Sequence, residues 1–380
     1  MKWIKIVIIN FLIFILFSFL ALLCYFKISQ NQAISDKSPY LLTENASYHL
    51  THQSLPKEFF TKKNPQLFKY SAYDHDESIK YSPYYFTKRI DNSYEEKVIA
   101  KIRNTDLVAY NVLYKFDRSR IRHVENQNLK TETNKFIITA GCSYTMGEGL
   151  NQGEDYPSQL AKKMNSEWKI YNWGFHGNST NAYISQPEFS NGGKNIPSEN
   201  NGVFIWLFIS EHMKRYFCPV SCYNNGDEWL LHRNQIQLSD DIFASNGHFI
   251  DSSSPYRIML GHFKKWGFFN YFRIPEFEYT DQQYLEFAKS INQMTTQTHK
   301  KFLKKYLFIY DNNYNLDLQK LSQKISNEGF TVIDLRPFKD QIPIDQQKIV
   351  GDSHPTALMN WQISEIIQQV VRQDMIRYSK

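Results

Sequence analysis

Residues 136–150, FIITAGCSYTMGEGL, read as a buried strand, a tight glycine turn, an isolated serine and a helix start. Phe136, Ile137, Ile138 and Thr139 form a short apolar, β-branched run that suits a strand buried on both faces. Ala140 and Gly141 close it with small residues, and Ser143 follows where strand must become helix. Gly147 and Gly149 mark a loop of close backbone approach. A nucleophile needs this placement. It is held by a rigid strand, exposed at the carboxyl end, and has a backbone N–H beside it to receive negative charge.

Outward from this segment, strands and helices alternate, the sign of a parallel sheet covered by helices. Helix Tyr156–Met164 follows, then strand Trp168–Asn172 and strand Val203–Ile209. A long helix is expected over Asp281–Lys305, with Tyr284, Phe287, Ile291 and Met294 at helical spacing. Strand Tyr306–Tyr310, helix Leu316–Ile325, strand Thr331–Leu335 and a closing helix Pro355–Met375 complete the series, with Pro355 suited to the first turn. The expected fold is α/β, a three-layer α/β/α sandwich on a mostly parallel five-stranded sheet. Between the third and fourth strands, Lys214–Thr280 is aromatic-rich with few periodic segments, as in binding loops and lids.

Upstream, Val98–Asn104 and Val108–Phe116 alternate apolar and polar positions around Asn104-Thr105-Asp106, a hairpin signal. Residues 70–130 therefore read as a small β appendage, with a structural brace favoured over glycan binding. Residues 28–69 are polar and proline-punctuated and read as a stalk. Lys2 and Lys5 flank an apolar run, Ile6–Phe26, long enough to span a bilayer. The basic amino-terminal side keeps that end in the cytoplasm. No small-residue cleavage site follows, so residues 1–27 read as an uncleaved signal anchor with the remainder extracytoplasmic, or periplasmic.

At 380 residues the chain is long enough for one large domain plus an appendage, and an aromatic content of 16% argues against extensive disorder. A net charge of +6 spread without a basic block excludes a nucleic-acid stripe. Of the four cysteines, Cys24 lies in the apolar run and Cys142 reads as a small core residue; Cys218 and Cys222 admit a local disulfide. Histidine and acidic residues show no metal-ligand spacing, and a serine route requires neither metal nor cofactor.

A serine nucleophile needs a base and an orienting carboxylate. Gly351-Asp352-Ser353-His354-Pro355 supplies both, two residues apart, after the last strand and before the closing helix. In a parallel sheet that is the same edge as Ser143. His354 is the candidate base and Asp352 its orienting partner. After the second strand, Asn172-Trp173-Gly174-Phe175-His176-Gly177-Asn178 carries two glycines three apart, and the N–H groups of Gly177 and Ser143 are candidate oxyanion donors.

Together these residues resemble the SGNH or GDSL-type serine hydrolases. Gly141-Cys142-Ser143-Tyr144-Thr145-Met146-Gly147 is similar to the family's first block, with Cys142 where an Asp is usual. Gly177 falls on the second-block glycine, and Asp352 and His354 on the last block, here D-x-H-P. The third block departs: by strand alignment Ser210 stands at the family's oxyanion asparagine, so the third donor is Ser210, a substitute such as Asn178 (also a candidate substrate contact), or absent. The resemblance covers residues 135–376 apart from the insertion 214–280. YKFDRSRIR, GCSYTMGEG, NWGFHGN and SEHMKR also look like a bacterial branch of such proteins with an amino-terminal β appendage.

His212, as an alternative base or a substrate ligand, and Arg215, as a contact for a substrate carboxylate or phosphate, are further candidates, against structural roles in the core or in an ion pair; His176 has a similar standing. Glu148 reads as a helix-start acid and Asp334 as a structural strand-end carboxylate. The resemblance implies a membrane-anchored serine esterase acting through an acyl-enzyme on an O-acylated glycan, lipid or small molecule. The alternatives are a glycan O-acetyltransferase and a non-catalytic envelope binding or scaffold protein on the same fold.

Overall fold

The computed structural model describes residues 67–71, 95–102, 108–117, 121–125, 127, 133–164, 167–185, 189, 197–217, 234–239, 242–248, 278–298, 302–314, 316–349 and 354–378. The expected anchor over 1–27, nearly all of the expected stalk, Cys218, Cys222 and Asp352 lie outside these. Among the described residues, no helix is long and apolar enough to cross a membrane.

Strands β1 (Leu67–Ser71), β2 (Glu95–Ile102) and β3 (Val108–Lys115) form an antiparallel sheet in that order. The β2–β3 pair is the hairpin read from alternation. Strand β1 begins within the span that composition assigned to the stalk. The main sheet holds β4 (Lys135–Gly141), β5 (Lys169–Gly174), β6 (Asn201–Phe208), β9 (Phe302–Ile309) and β10 (Thr331–Asp334). Between β6 and β9 in the chain, β7 (Asn234–Ser239) and β8 (Ile242–His248) pair antiparallel inside the long insertion.

All four pairings in the main sheet are parallel, in the order β5-β4-β6-β9-β10. Counted along the chain, that is 2-1-3-4-5, the doubly wound order whose switch point lies between the first and third strands. The helices are α1 (Ser143–Met146), α2 (Tyr156–Lys163), α3 (Thr180–Ile184), α4 (Glu211–Phe217), α5 (Asp281–Thr298), α6 (Leu318–Asn327), α7 (Arg336–Lys339), α8 (Ile344–Gln347) and α9 (Ala357–Tyr378).

Alternation along the strands builds two cores, because successive side chains point to opposite faces. Phe136, Ile138, Phe204, Trp206 and Leu307 pack with Phe287 and Ile291 of α5 and Leu321 of α6. Ile137, Val203, Ile205 and Phe308 pack with Leu160 of α2 and Ile363 and Ile367 of α9. The result is the expected three-layer α/β/α arrangement.

Two boundaries differ from expectation. Helix α5 is described over Asp281–Thr298, and Phe302–Lys305, expected in the same helix, belong to β9, where Lys304 and Lys305 pair with Val203 and Phe204. These lysines sit at the half-exposed entry end of the strand, and Lys305 Nζ bonds Asn292 Oδ1 and the Glu328 carbonyl, both at 2.8 Å. Pro355 precedes the closing helix instead of entering its first turn: it forms a bridge with Lys348, and Thr356 Oγ1 accepts the Met359 N–H at 3.2 Å as an N-cap.

The appendage is seated on the loop after α1. Tyr110, Val112 and Tyr114 of β3 cluster with Met146, Leu150 and Ile349. The Gly149 N–H donates to Tyr114 Oη at 2.8 Å.

Candidate active site

Strand β4 ends at Gly141, and α1 starts at Ser143 with Cys142 as its N-cap. The junction is tight. Gly141 has φ 151°, and a Cβ there would lie 2.4 Å from Thr145 Oγ1. Strand β5 comes as close from the other side, since a Cβ on Gly174 would lie 2.1 Å from Met146 N. Two glycines thus let α1 press onto the carboxyl ends of β4 and β5. Ser143 occupies its first turn, where backbone N–H groups have no helical carbonyl to bond. This is also the edge beside the sheet's switch point.

His354 reaches the serine from a loop 211 positions away, with Nε2 2.7 Å from Ser143 Oγ. The Lys348–Pro355 bridge and the Ile349 N–H bond to the His354 carbonyl, at 2.9 Å, close that loop. Tyr144 forms a wall: its ring centroid is 5.1 Å from the imidazole and 5.4 Å from Tyr310. Ser143 and His354 are both buried, so their hydrogen bond is shielded from bulk water. Asp352, the expected orienting partner of this imidazole, lies outside the described residues.

Glu148 has a different place from the one expected. It lies past the end of α1, beyond Gly147 at φ 84°, and turns its carboxylate to two histidines. Oε2 is 2.7 Å from His176 Nδ1 and 3.2 Å from His354 Nε2, while Tyr110 Oη donates to Oε1 at 3.5 Å. The usable sequence signal was its position between Gly147 and Gly149, just after Ser143.

Arg122, inside the YKFDRSRIR run, was also passed over. Fully buried, it crosses under this loop. Nη1 donates to the Met146 and Gly147 carbonyls, each at 2.7 Å, and Nη2 to those of Leu150 and Asn151 at 3.1 and 3.0 Å. Its Nε is 3.7 Å from the buried Asp155 carboxylate. Burial pushes the Asp155 carboxyl up from its ordinary range, against the opposing pull of Arg122 and Ser158.

The remaining candidates divide. Gly177 takes φ 60° in the turn after β5, the left-handed region that glycine favours. Ser210 directs both its donors elsewhere: its N–H and Oγ bond Asp311 Oδ1 at 2.9 and 2.8 Å. With those hydrogens committed to a buried carboxylate, the oxyanion role expected of Ser210 is not carried forward. His212 is enclosed in the core, where Nδ1 accepts from Trp206 Nε1 at 3.2 Å and from the Ile209 N–H at 3.3 Å. Its ring therefore ties the end of β6 and does not line open space. Arg215, also buried, donates to the Asn178 carbonyl at 3.3 Å and faces the Cys142 thiol, which burial pushes up. Asn178 Oδ1 accepts the Ser179 N–H at 2.9 Å. Arg215 and Asn178 thus brace the β4–α1 junction and the Gly177 turn from beneath. Asp334 holds Arg336 through a paired set of bonds, the structural role expected of it.

No protein-family model matches the sequence, and no curated protein matches it. Similar solved structures include a member of the lipolytic G-D-S-L protein family from Veillonella parvula DSM 2008, at 12% identity over 60% of this chain and 93% of that one, with a TM-score of 0.34. Another is a carbohydrate acetylesterase family member from Sinorhizobium meliloti, at 10% identity over 63% of this chain and 98% of that one, with a TM-score of 0.31.

Proposed function

We propose that this chain is a serine acyl hydrolase of SGNH type, cleaving carboxylic esters through an acyl-enzyme on Ser143. The observation that carries the reading is the 2.7 Å contact between Ser143 Oγ and His354 Nε2 at the carboxyl edge of a parallel sheet. A hydroxyl on a strand-to-helix turn, bonded to a shielded imidazole, is the minimum set for nucleophilic acyl transfer.

In this reading Ser143 Oγ attacks the ester carbonyl as its proton passes to His354 Nε2. The oxyanion is met by the N–H groups of Ser143 and Gly177, each such donor contributing roughly 3–4 kcal/mol in acyl transfer. The imidazolium gives its proton to the departing alkoxide, and water then releases the acyl group by the same steps in reverse. Asp352, two residues before His354, is assigned to the imidazolium. The apolar run Ile6–Phe26 supports tethering to the membrane with an extracytoplasmic site, and that address supports O-acylated envelope glycans or lipids as substrates.

The test is turnover of p-nitrophenyl acetate. The wild-type protein is expected to be active, Ser143→Ala and His354→Ala to fall by at least about 10³-fold, and Asp352→Asn to fall by up to about 10⁴-fold. Variants that keep full activity would overturn the assignment of the residues they replace.

A further inference from the structure

We propose that Arg215 is the positioning residue of the oxyanion hole: its buried cation holds the two backbone donors together and sets positive charge beside the oxygen that turns negative. The inference rests on the esterase reading. It starts from the role left open after the third strand of the main sheet. Ser210 stands where a side-chain donor is expected, but its N–H and Oγ both bond Asp311 Oδ1, at 2.9 and 2.8 Å. Five residues on, α4 delivers Arg215 to the same carboxyl edge.

Arg215 meets the flanks of both donors. Nη1 donates to the carbonyl of Asn178, the residue after Gly177, at 3.3 Å. The guanidinium also faces the buried thiol of Cys142, the residue before Ser143. The same thiol meets the Ser143 side chain, so one sulfur atom links cation and nucleophile. Helix α4 fixes the Gly177 flank further. Ser179 Oγ donates to the His212 carbonyl at 2.9 Å and Asn181 Nδ2 to the Arg215 carbonyl at 3.4 Å. The Asn178 N–H closes the turn on the Phe175 carbonyl at 3.3 Å. The turn that carries Gly177 is thus fastened to α4, and through Arg215 to the β4–α1 junction.

The reaction needs charge at this place. As Ser143 Oγ bonds the ester carbon, the C=O π pair moves onto oxygen and the hydroxyl proton passes to His354 Nε2. Negative charge then arises at the N–H groups of Ser143 and Gly177, whose flanks the guanidinium holds. A cation fixed in advance, in a site shielded from water, stabilises that charge without reorganising and does little for the neutral ester. Glu211 also faces Arg215, but its Oε1 lies 3.5 Å from Lys214 Nζ, so two cations face one carboxylate.

The experiment measures hydrolysis of p-nitrophenyl acetate by full-length Arg215→Met and Arg215→Lys. It also measures inhibition by a trifluoromethyl ketone, which adds Ser143 Oγ to give a stable tetrahedral oxyanion. Acylation and deacylation both pass through such an oxyanion, so kcat falls whichever step limits it. Arg215→Met is expected to lose about 10²-fold in kcat with KM within about three-fold, and to bind the ketone more weakly by a similar factor. Arg215→Lys, which keeps the charge, is expected to recover about ten-fold of that loss. A folded Arg215→Met with kcat within about three-fold of wild type, a loss carried by KM alone, or a lysine variant no better than methionine would overturn the proposal. Should Arg215→Met fail to fold, Arg215→Lys decides: a fall of about ten-fold in kcat and in ketone affinity is expected, and wild-type values of both would contradict it. A wild type inactive on the ester would sink the esterase reading and this inference with it; an active wild type indifferent to both substitutions sinks this inference alone.

Discussion

Replacing Arg122 by Met would remove the buried cation that stitches the loop carrying Glu148 to the appendage. The guanidinium makes four bonds to carbonyls, at 2.7, 2.7, 3.1 and 3.0 Å, and stands 3.7 Å from Asp155. Bonds from a charged donor contribute about 1.5–3 kcal/mol each, so addition alone gives roughly 6–12 kcal/mol. Desolvation of the guanidinium offsets much of that, and breaking a buried pair costs about 3–5 kcal/mol. The expected loss is therefore about 3–5 kcal/mol, read by guanidinium denaturation with tryptophan fluorescence. The loss also has a pH signature. The Asp155 carboxyl is raised in the folded state, so its contribution is fully present below its unfolded value of about 3.9 and is lost as pH rises through the folded value. Arg122 opposes that rise, so removing it lifts the folded value further. The deficit of Arg122→Met should grow as pH rises above about 4, and adding Asp155→Asn should flatten it. A loss below about 1 kcal/mol, or a deficit that does not change with pH, would refute the account of Arg122 as a paired buried cation.

Two further outcomes follow from the junction and from the third strand. Gly174→Ala puts a Cβ 2.1 Å from Met146 N, a backbone atom that cannot swing aside, so a loss of about 1–3 kcal/mol is expected in thermal denaturation; an unchanged Tm would contradict the close approach. Ser210→Ala removes one of two bonds to Asp311, so about 1 kcal/mol of stability should go while kcat/KM falls less than about ten-fold; a fall of about 10²-fold or more would restore Ser210 to the oxyanion hole.

The parts of the molecule readable in advance were those whose signal is local. The strand at Phe136–Thr139 stood out because burial on both faces demands an unbroken apolar run, and the hairpin because one-sided packing demands alternation. One long-range approach was also readable, that of His354 to Ser143 across 211 positions, because the carboxyl edge of a parallel sheet gathers its loops. Other long-range partners were hidden. Nothing near Arg122 signals that its partners are four carbonyls more than twenty residues away. Ser210 falls where strand alignment puts it, yet Asp311, 101 residues later, takes its donors. Glu148 was misplaced because α1 lasts only four residues before Gly147 turns the chain back into the site. The lysines of β9 resembled a helix end because a strand entering from solvent is polar for the same reason.

The central claim is that Ser143 is a nucleophile activated by His354, and covalent labelling with a fluorophosphonate tests it most directly. One adduct per chain is expected, located by peptide mass at Ser143, absent in Ser143→Ala and strongly slowed in His354→Ala. Folded wild-type protein that takes no label, or a Ser143→Ala variant that labels as fast as the wild type, would contradict it.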